Sequence, residues 1–258
     1  MNNKILISTH KNYIFPKNTL YVPIQVGKVK SSQYIDAIGD DTDINISTKN
    51  NNFCELTALY WAWQNDFFKD SDFCGLVHYR RYFKGSSGEK INGMMILGED
   101  EIINYLKRYD ILLPKKRRYY IETVISHYSN AHYQKDILLT RTILEQQASD
   151  YLAAFDEVMQ SRSLHLFNMF IMSPKYFYAY MDWLFPILFA LEERIDTESY
   201  DSYQKRVFGY IAERLFNVWL LKNDLRIKCL GVNHLEGENY ILKAWCLIMR
   251  KNSAQLSK

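Results

Sequence analysis

Phe73-Cys74-Gly75-Leu76-Val77-His78-Tyr79-Arg80-Arg81-Tyr82-Phe83 is a short apolar run that ends abruptly in a histidine, two tyrosines and two adjacent arginines. It is too short for a helix of its own and rich in β-favouring residues, so it reads as a buried strand. In open α/β sheets, ligands sit in the crevice outside the carboxyl ends of such strands. Two guanidiniums there suit a phosphate or diphosphate, which arginine grips through paired hydrogen bonds. The alternative is a plain loop whose arginines pair with surface acids.

Working outward, Asn52 and Glu55 are spaced like a capping box ahead of Leu56, Leu59, Tyr60 and Trp63, which recur on one helical face. That predicts a helix packed just before the strand. Ile5-Leu6-Ile7-Ser8 reads as a first buried strand closing in Thr9-His10-Lys11. Tyr21 to Val26 is strand-like, but Pro23 cannot donate to a ladder, which predicts an edge strand or extended loop. Residues 39–52 are polar and turn-rich, hence a long loop. Tyr109 to Pro114 is a further strand, and helical patterns cover 122–133 and 140–159.

Leu164-His165-Leu166-Phe167-Asn168-Met169-Phe170-Ile171-Met172 is apolar on both alternating faces and reads as one central strand. Ser173-Pro174 starts a helix that Pro186 is expected to kink. Another helix covers 203–221, and Leu225 to Cys229 alternates as a half-exposed strand. This alternation of strands and helices predicts an α/β fold, one mixed sheet covered by helices.

The chain has 258 residues, 48% hydrophobic and 24% charged, which excludes disordered and fibrous classes. Aromatic residues make up 15%, enough to line a concave surface as well as fill a core. A net charge of +3 does not call for nucleic acid, and none is assigned as a partner. The charge is uneven: Lys107, Arg108, Lys115, Lys116, Arg117 and Arg118 surround one predicted strand, and no acid follows Glu238. Cys54, Cys74, Cys229 and Cys246 lie far apart in apolar contexts, predicting free buried thiols and no zinc site. The opening residues lack a signal-peptide pattern and no apolar run is long enough to span a bilayer, which predicts a cytoplasmic protein. No GxGxxG, P-loop, Gly-x-Ser-x-Gly or His-Glu-x-x-His occurs, against dinucleotide oxidoreductases, kinases, α/β-hydrolases and zinc proteases.

Further residues are candidates for chemistry. His165 and Asn168, three apart, point to opposite faces of a regular strand, and Asn168 is the better pocket residue or else a satisfied core amide. Arg206, Tyr210, Glu213 and Asn217 form one polar stripe along the 203–221 helix, either a solvated face or a working one with Glu213 as base. His127 and His132 are five apart, about 140° around a helix, which disfavours a shared metal. Asp40-Asp41-Thr42-Asp43 holds an Asp-x-Asp spacing, but in a polar loop where turn chemistry explains it.

Three sets of residues together resemble a known family: Cys54 to Trp63, Gly75 to Phe83, and Asn168 to Met172. Supporting stretches are Ile5 to Lys11, Tyr21 to Gly27, Tyr203 to Gly209 and Glu213 to Trp219. The chain is similar to the bacterial glycosyltransferases of capsular and exopolysaccharide gene clusters first catalogued as a domain of unknown function. The resemblance implies a GT-A-like single domain over 1–238, a central mixed, mostly parallel sheet flanked by helices, followed by a basic helix or tail over 239–258.

It also implies transfer of a hexose from a nucleoside diphosphate sugar, most simply UDP-linked, to a lipid-linked saccharide. Thr9, His10 and Lys11 then face the nucleotide, beside His78, Tyr79, Arg80 and Arg81 on the diphosphate. Glu213, Asn168 and His165 fall to the chemistry, with an aspartate of the 39–52 loop as the other candidate base. Arg206, Tyr210, His127 and His132 fall to the acceptor. The strand that in such enzymes ends in Asp-x-Asp here ends in His78-Tyr79-Arg80-Arg81, so no metal site is assigned and a Mn or Mg requirement is left open. Cationic side chains offset a departing diphosphate as a metal does. A lipid-linked acceptor implies peripheral contact with the membrane, for which residues 239–252, read as a helix, are the candidate. The alternative is a non-catalytic saccharide-binding or assembly subunit.

Overall fold

The computed structural model describes residues 2–236, so the tail expected at 239–258 lies outside the described residues. Strands β1 (Lys4–Thr9), β2 (Tyr21–Gln25) and β3 (Ile38–Gly39) come first. Helices α1 (Asn50–Phe53) and α2 (Leu56–Gln64) lead into β4 (Cys74–His78) and β5 (Arg81–Phe83). A small hairpin, β6 (Lys90–Ile91) and β7 (Met94–Met95), precedes α3 (Glu99–Leu106) and β8 (Ile111–Pro114). Then follow β9 (Arg117–Arg118), α4 (Val124–Ala131), α5 (Gln134–Gln147), α6 (Leu152–Gln160) and β10 (Ser163–Leu164). The last described elements are β11 (Phe170–Met172), α7 (Pro174–Glu192), α8 (Val207–Lys222), β12 (Ile227–Leu230) and β13 (Val232–His234).

The main sheet runs β12-β8-β11-β4-β1-β2-β3, and along it only β11 opposes the common strand direction. This is the mixed, mostly parallel sheet expected. Its inner strands β1, β4, β8 and β11 are buried on both faces, as near-continuous apolar sequences require. Leu6, Leu76, Ile111, Leu113, Phe170 and Met172 face a helix-covered core, while Ile5, Ile7, Val77, Leu112 and Ile171 face a second. Gly75 permits the β4–β11 contact, since a Cβ there would sit 2.6 Å from the Phe170 carbonyl oxygen. Among the described residues no helix is long and apolar enough to cross a membrane.

Several expectations are corrected. β2 is one strand in from the edge, although β3 pairs only with Ile24 and Gln25 and so leaves Pro23 uncovered. The 39–52 segment is no plain loop, since it contains the end of β3, a 3-10 turn at Ser47–Lys49 and most of α1. The 140–159 helix is two, separated around Ala148–Tyr151, and α7 continues through Pro186. Cys229 is exposed on its edge strand rather than buried.

The largest correction concerns 164–172. It is not one strand: β10 pairs with β9 in a separate ribbon, a turn at Phe167–Asn168 follows, and only β11 enters the main sheet. Phe167 (φ 78°) and Asn168 (φ 50°) both occupy the left-handed region, which residues with side chains adopt reluctantly.

Candidate functional site

Leaving β1, the chain turns to β2 on one side of it, then returns to β4 on the other side. The carboxyl ends of β1 and β4 therefore meet at the topological switch point of the sheet, where such folds leave a crevice. A cavity of about 760 Å³ opens there. His10 and Lys11 reach it from the end of β1, and His78, Tyr79, Arg80 and Arg81 from the end of β4. The opposite wall comes from the α1–α2 junction (Asn50, Asn51, Cys54, Glu55), from Ser202, Lys205 and Arg206 ahead of α8, and from Glu213 on α8. Among the described lining residues, Lys11, Arg80, Arg81, Lys205 and Arg206 are cationic and Glu55 and Glu213 acidic.

The β4 end is tightly braced. The His78 ring donates from Nε2 to the Phe167 carbonyl at 2.6 Å, and burial pushes its pKa down to about 4, leaving a neutral imidazole. Tyr79 is buried edge-on against His10 and Tyr13, and Arg80 lies 5.6 Å from its ring. Arg80 Nη1 meets Glu236 at 3.0 Å in an exposed pair, while the Arg81 guanidinium sits 4.5 Å over the Phe167 ring. Thr9 is fully buried and donates to the Lys11 carbonyl at 2.6 Å, so it shapes the turn rather than facing the cavity. Burial lowers the His10 pKa, and Lys11, Arg80 and Arg206 lower it further.

Both cavity acids have raised pKa values, chiefly through burial. Glu213 has each oxygen engaged: Oε1 accepts the Phe167 N–H at 2.8 Å, and Oε2 accepts Arg214 Nη1 at 3.1 Å. Glu55 accepts Asn168 Nδ2 at 2.7 Å through Oε1. The capping box expected of Asn52 and Glu55 does not form. Asn52 lies within α1 and donates to the Lys205 carbonyl at 3.0 Å. Glu55 stands before α2 without capping it by its side chain. Cys54, at φ 53° and ψ −131°, breaks the helix between them and turns Glu55 toward the cavity. Sequence reasoning thus missed Glu55 as a site residue. Its only local signal, the three-residue spacing from Asn52, pointed to a different role.

The polar stripe is not a solvated face: Arg206 and Glu213 point into the cavity and Asn217 is buried. Arg206 Nε lies 3.3 Å from Cys54 Sγ, close to where Gly209 lets α8 approach that residue.

Asn168 is buried and meets the cavity only through Glu55, and four more assigned residues stand elsewhere. His165 is corrected outright: its Nδ1–H donates to the Pro114 carbonyl at 2.6 Å, and the Asn217 side chain bonds both its N–H and its C=O at 2.9 Å. It lines a separate cavity of about 210 Å³. His127 stacks 4.1 Å from the Tyr119 ring and bonds Glu122 at 2.7 Å, while His132 stacks 4.1 Å from Tyr210 and bonds Gln204 at 3.0 Å. None of His127, His132 and Tyr210 lines the large cavity.

The first of the loop aspartates does not suit a metal. Asp40 is fully buried, and each of its oxygens already accepts two protein donors: Lys28 N and Ser47 Oγ on Oδ1, Gly27 N and Thr57 Oγ1 on Oδ2. Among the described residues no group of three or more His, Cys, Asp or Glu side chains is placed to hold a metal ion.

A family model described as "Domain of unknown function (DUF4422)" matches residues 4–224. Among solved structures, the chain is similar to the apo structure of the bifunctional glycosyltransferase WbbM, with 32% identity and a TM-score of 0.84. The match covers 92% of this chain and 46% of that one, so the chain spans less than half the length of that protein. The likeness agrees with the sheet order in giving a GT-A-like α/β fold. No curated protein matches.

Proposed function

The chain belongs to the DUF4422 family, and from that footing we propose that it is a glycosyltransferase drawing on a nucleoside diphosphate sugar. The donor is a UDP-linked hexose, and the acceptor a lipid-linked saccharide of capsule or exopolysaccharide assembly. One observation carries the reading: five cationic side chains ring a cavity at the carboxyl ends of β1 and β4. The similarity to a glycosyltransferase of known structure supports it.

In this reading Arg80 and Arg81 grip the diphosphate, with His10 and Lys11 on the nucleotide side. The Arg80–Glu236 pair is exposed, and such pairs hold with only about 0–1 kcal/mol, so an incoming diphosphate displaces the carboxylate readily. As the sugar–phosphate bond breaks, charge builds on the leaving diphosphate, and the fixed guanidiniums stabilise it with little reorganisation. Arg206 and Lys205 close the opposite wall toward the sugar and acceptor.

A bilayer-held acceptor has further support. Lys115, Lys116, Arg117 and Arg118 are all exposed and leave the carboxyl end of β8, which runs parallel to β1 and β4. They therefore lie on the sheet edge that carries the cavity, beside exposed Tyr120 and Ile121. Cations next to exposed apolar side chains match an anionic lipid surface.

Calorimetric titration with UDP, with and without manganese, tests the site on wild type and on the Arg80→Ala/Arg81→Ala double variant. Each lost charge-assisted bond is worth about 1.5–3 kcal/mol, so the double variant binds UDP at least about a hundredfold more weakly. UDP binding that survives the double substitution, or that appears only with manganese, overturns the arginine-held diphosphate.

A further inference from the structure

We propose that Glu55 is the catalytic base of this site, the carboxylate that takes the proton from the acceptor hydroxyl, with Asn168 as its positioning residue. The inference rests on the transferase reading above and goes beyond it by assigning the proton.

Among the described residues two acids line the cavity, and their surroundings separate them. Glu213 is engaged at both oxygens: one holds the Phe167 amide, and the other pairs with Arg214, whose own side chain is only 4% exposed. A carboxylate fixed at both oxygens braces a turn and has little freedom to receive a proton. Glu55 has, among the described residues, one side-chain partner, Asn168 Nδ2 on Oε1, and it lines the cavity. No cationic side chain pairs with Glu55 within salt-bridge distance among the described residues, unlike Glu213.

The backbone around this contact is unusual on both sides. Cys54 (φ 53°), immediately before Glu55, is left-handed, and so are Phe167 (φ 78°) and Asn168 (φ 50°). Each conformation is unfavourable for a residue with a side chain, and such residues collect where a structure holds functional groups in place. Here the three converge on one 2.7 Å hydrogen bond between residues far apart in sequence. The Glu55 carboxylate caps no helix; besides Asn168 it accepts only from its own backbone amide among the described residues.

The electrostatics suit the role. Burial raises the Glu55 pKa, while Asn168, the Glu55 backbone amide, Arg206 and Arg81 favour its ionised form. In the reaction, the acceptor oxygen bonds to the anomeric carbon as the bond from that carbon to the diphosphate oxygen breaks. The electron pair leaves with the diphosphate, and the hydroxyl proton passes to the Glu55 carboxylate. A single displacement of this kind inverts the anomeric centre.

The test compares wild type, Glu55→Gln, Glu213→Gln and Asn168→Gly. UDP binding is read by calorimetry. Turnover is read as UDP released from UDP-glucose, UDP-galactose and UDP-N-acetylglucosamine, with water as the acceptor. Glu55→Gln keeps UDP affinity within about twofold while release falls about a hundredfold or more, the usual worth of a general base. Asn168→Gly, which relieves the left-handed backbone while deleting the amide, moves the acid limb of the rate–pH profile to higher pH, because the carboxylate loses the bond that favours its ionised form. A purely structural role for Asn168 leaves that limb in place.

Release by Glu55→Gln within about threefold of wild type overturns the assignment. So does loss of release in Glu213→Gln alone, in a protein that still folds and binds UDP. If Glu55→Gln does not fold, the pH limb of Asn168→Gly decides. Wild type that binds UDP but releases none from these donors overturns the base assignment and leaves the diphosphate site standing. Wild type that fails to bind UDP overturns the site reading itself.

Discussion

Replacing Asp40 with alanine separates a structural aspartate from a metal-binding one. Asp40 lies at the head of the Asp40-Asp41-Thr42-Asp43 stretch, whose spacing suggests a metal, yet its carboxylate is fully buried and accepts four hydrogen bonds. These come from Gly27 N (2.8 Å), Lys28 N (3.1 Å), Ser47 Oγ (2.5 Å) and Thr57 Oγ1 (2.6 Å). They tie the left-handed Gly27 turn after β2 to the 3-10 turn at Ser47 and to the first turn of α2. In Asp40→Ala, the Thr57 hydroxyl keeps a second acceptor in the Cys54 carbonyl at 3.1 Å, and the Ser47 hydroxyl can rotate.

The two backbone amides have no such recourse. Each orphaned buried donor costs about 1–3 kcal/mol, so the pair alone gives about 2–6 kcal/mol. At about 2–4 °C per kcal/mol for a chain of this size, a central loss of about 4 kcal/mol lowers Tm by about 8–16 °C. Differential scanning calorimetry reads the shift, and manganese titration of wild type and variant gives the control. A Tm within about 3 °C of wild type refutes the reasoning, and so does an unchanged Tm accompanied by lost manganese binding.

Two other outcomes follow from the same geometry. Burial holds the His165 pKa at about 4 in the folded chain, below the ordinary value of about 6.5, so the unfolded chain takes up the proton first. His165 therefore contributes stability that is full above pH ~6.5 and lost toward pH ~4, at up to about 1.4 kcal/mol per pH unit. In His165→Asn the difference in urea midpoint between pH 7 and pH 5 shrinks relative to wild type, and an unchanged difference refutes the account. At the sheet edge, replacing Lys115, Lys116, Arg117 and Arg118 together by alanine removes about 1 kcal/mol of lipid attraction per cation and lowers co-sedimentation with phosphatidylglycerol vesicles on the order of a hundredfold or more. Undiminished vesicle binding, or equal binding to neutral vesicles, removes the edge from consideration as a membrane face.

The parts of this protein legible from sequence are those set by local composition. Ile5 to Ser8 and Cys74 to His78 are apolar runs bounded by polar residues, and they form the neighbouring parallel strands β1 and β4. The arginines that end the second run lie at the cavity because a strand delivers its next residues to the sheet edge. The stripe on α8 was legible as a stripe, since helical spacing fixes which residues share a face. Whether that face met water or a cavity was not.

The misreadings that bear on the site arise where a distant partner outcompeted a local pattern. The Asn52–Glu55 spacing satisfies a capping box, yet Asn168, 113 residues away, takes the Glu55 carboxylate. The 164–172 run has the composition of an unbroken strand. It breaks because Glu213 takes the Phe167 N–H and His78 takes its C=O, pulling both out of any ladder. Asp40 reads as turn chemistry or half a metal site, and becomes a buried anchor only when β2, the 3-10 turn and α2 pack around it. Strand identity, helix faces and the cationic end of β4 depend on short-range sterics and the period of apolar residues, which a linear sequence displays directly. The different partners of Glu55 and Glu213, the placing of His165 outside the large cavity and the burial of Asp40 depend on which polar groups meet across the fold. Desolvation makes each unpaired group unfavourable enough to override the local preference.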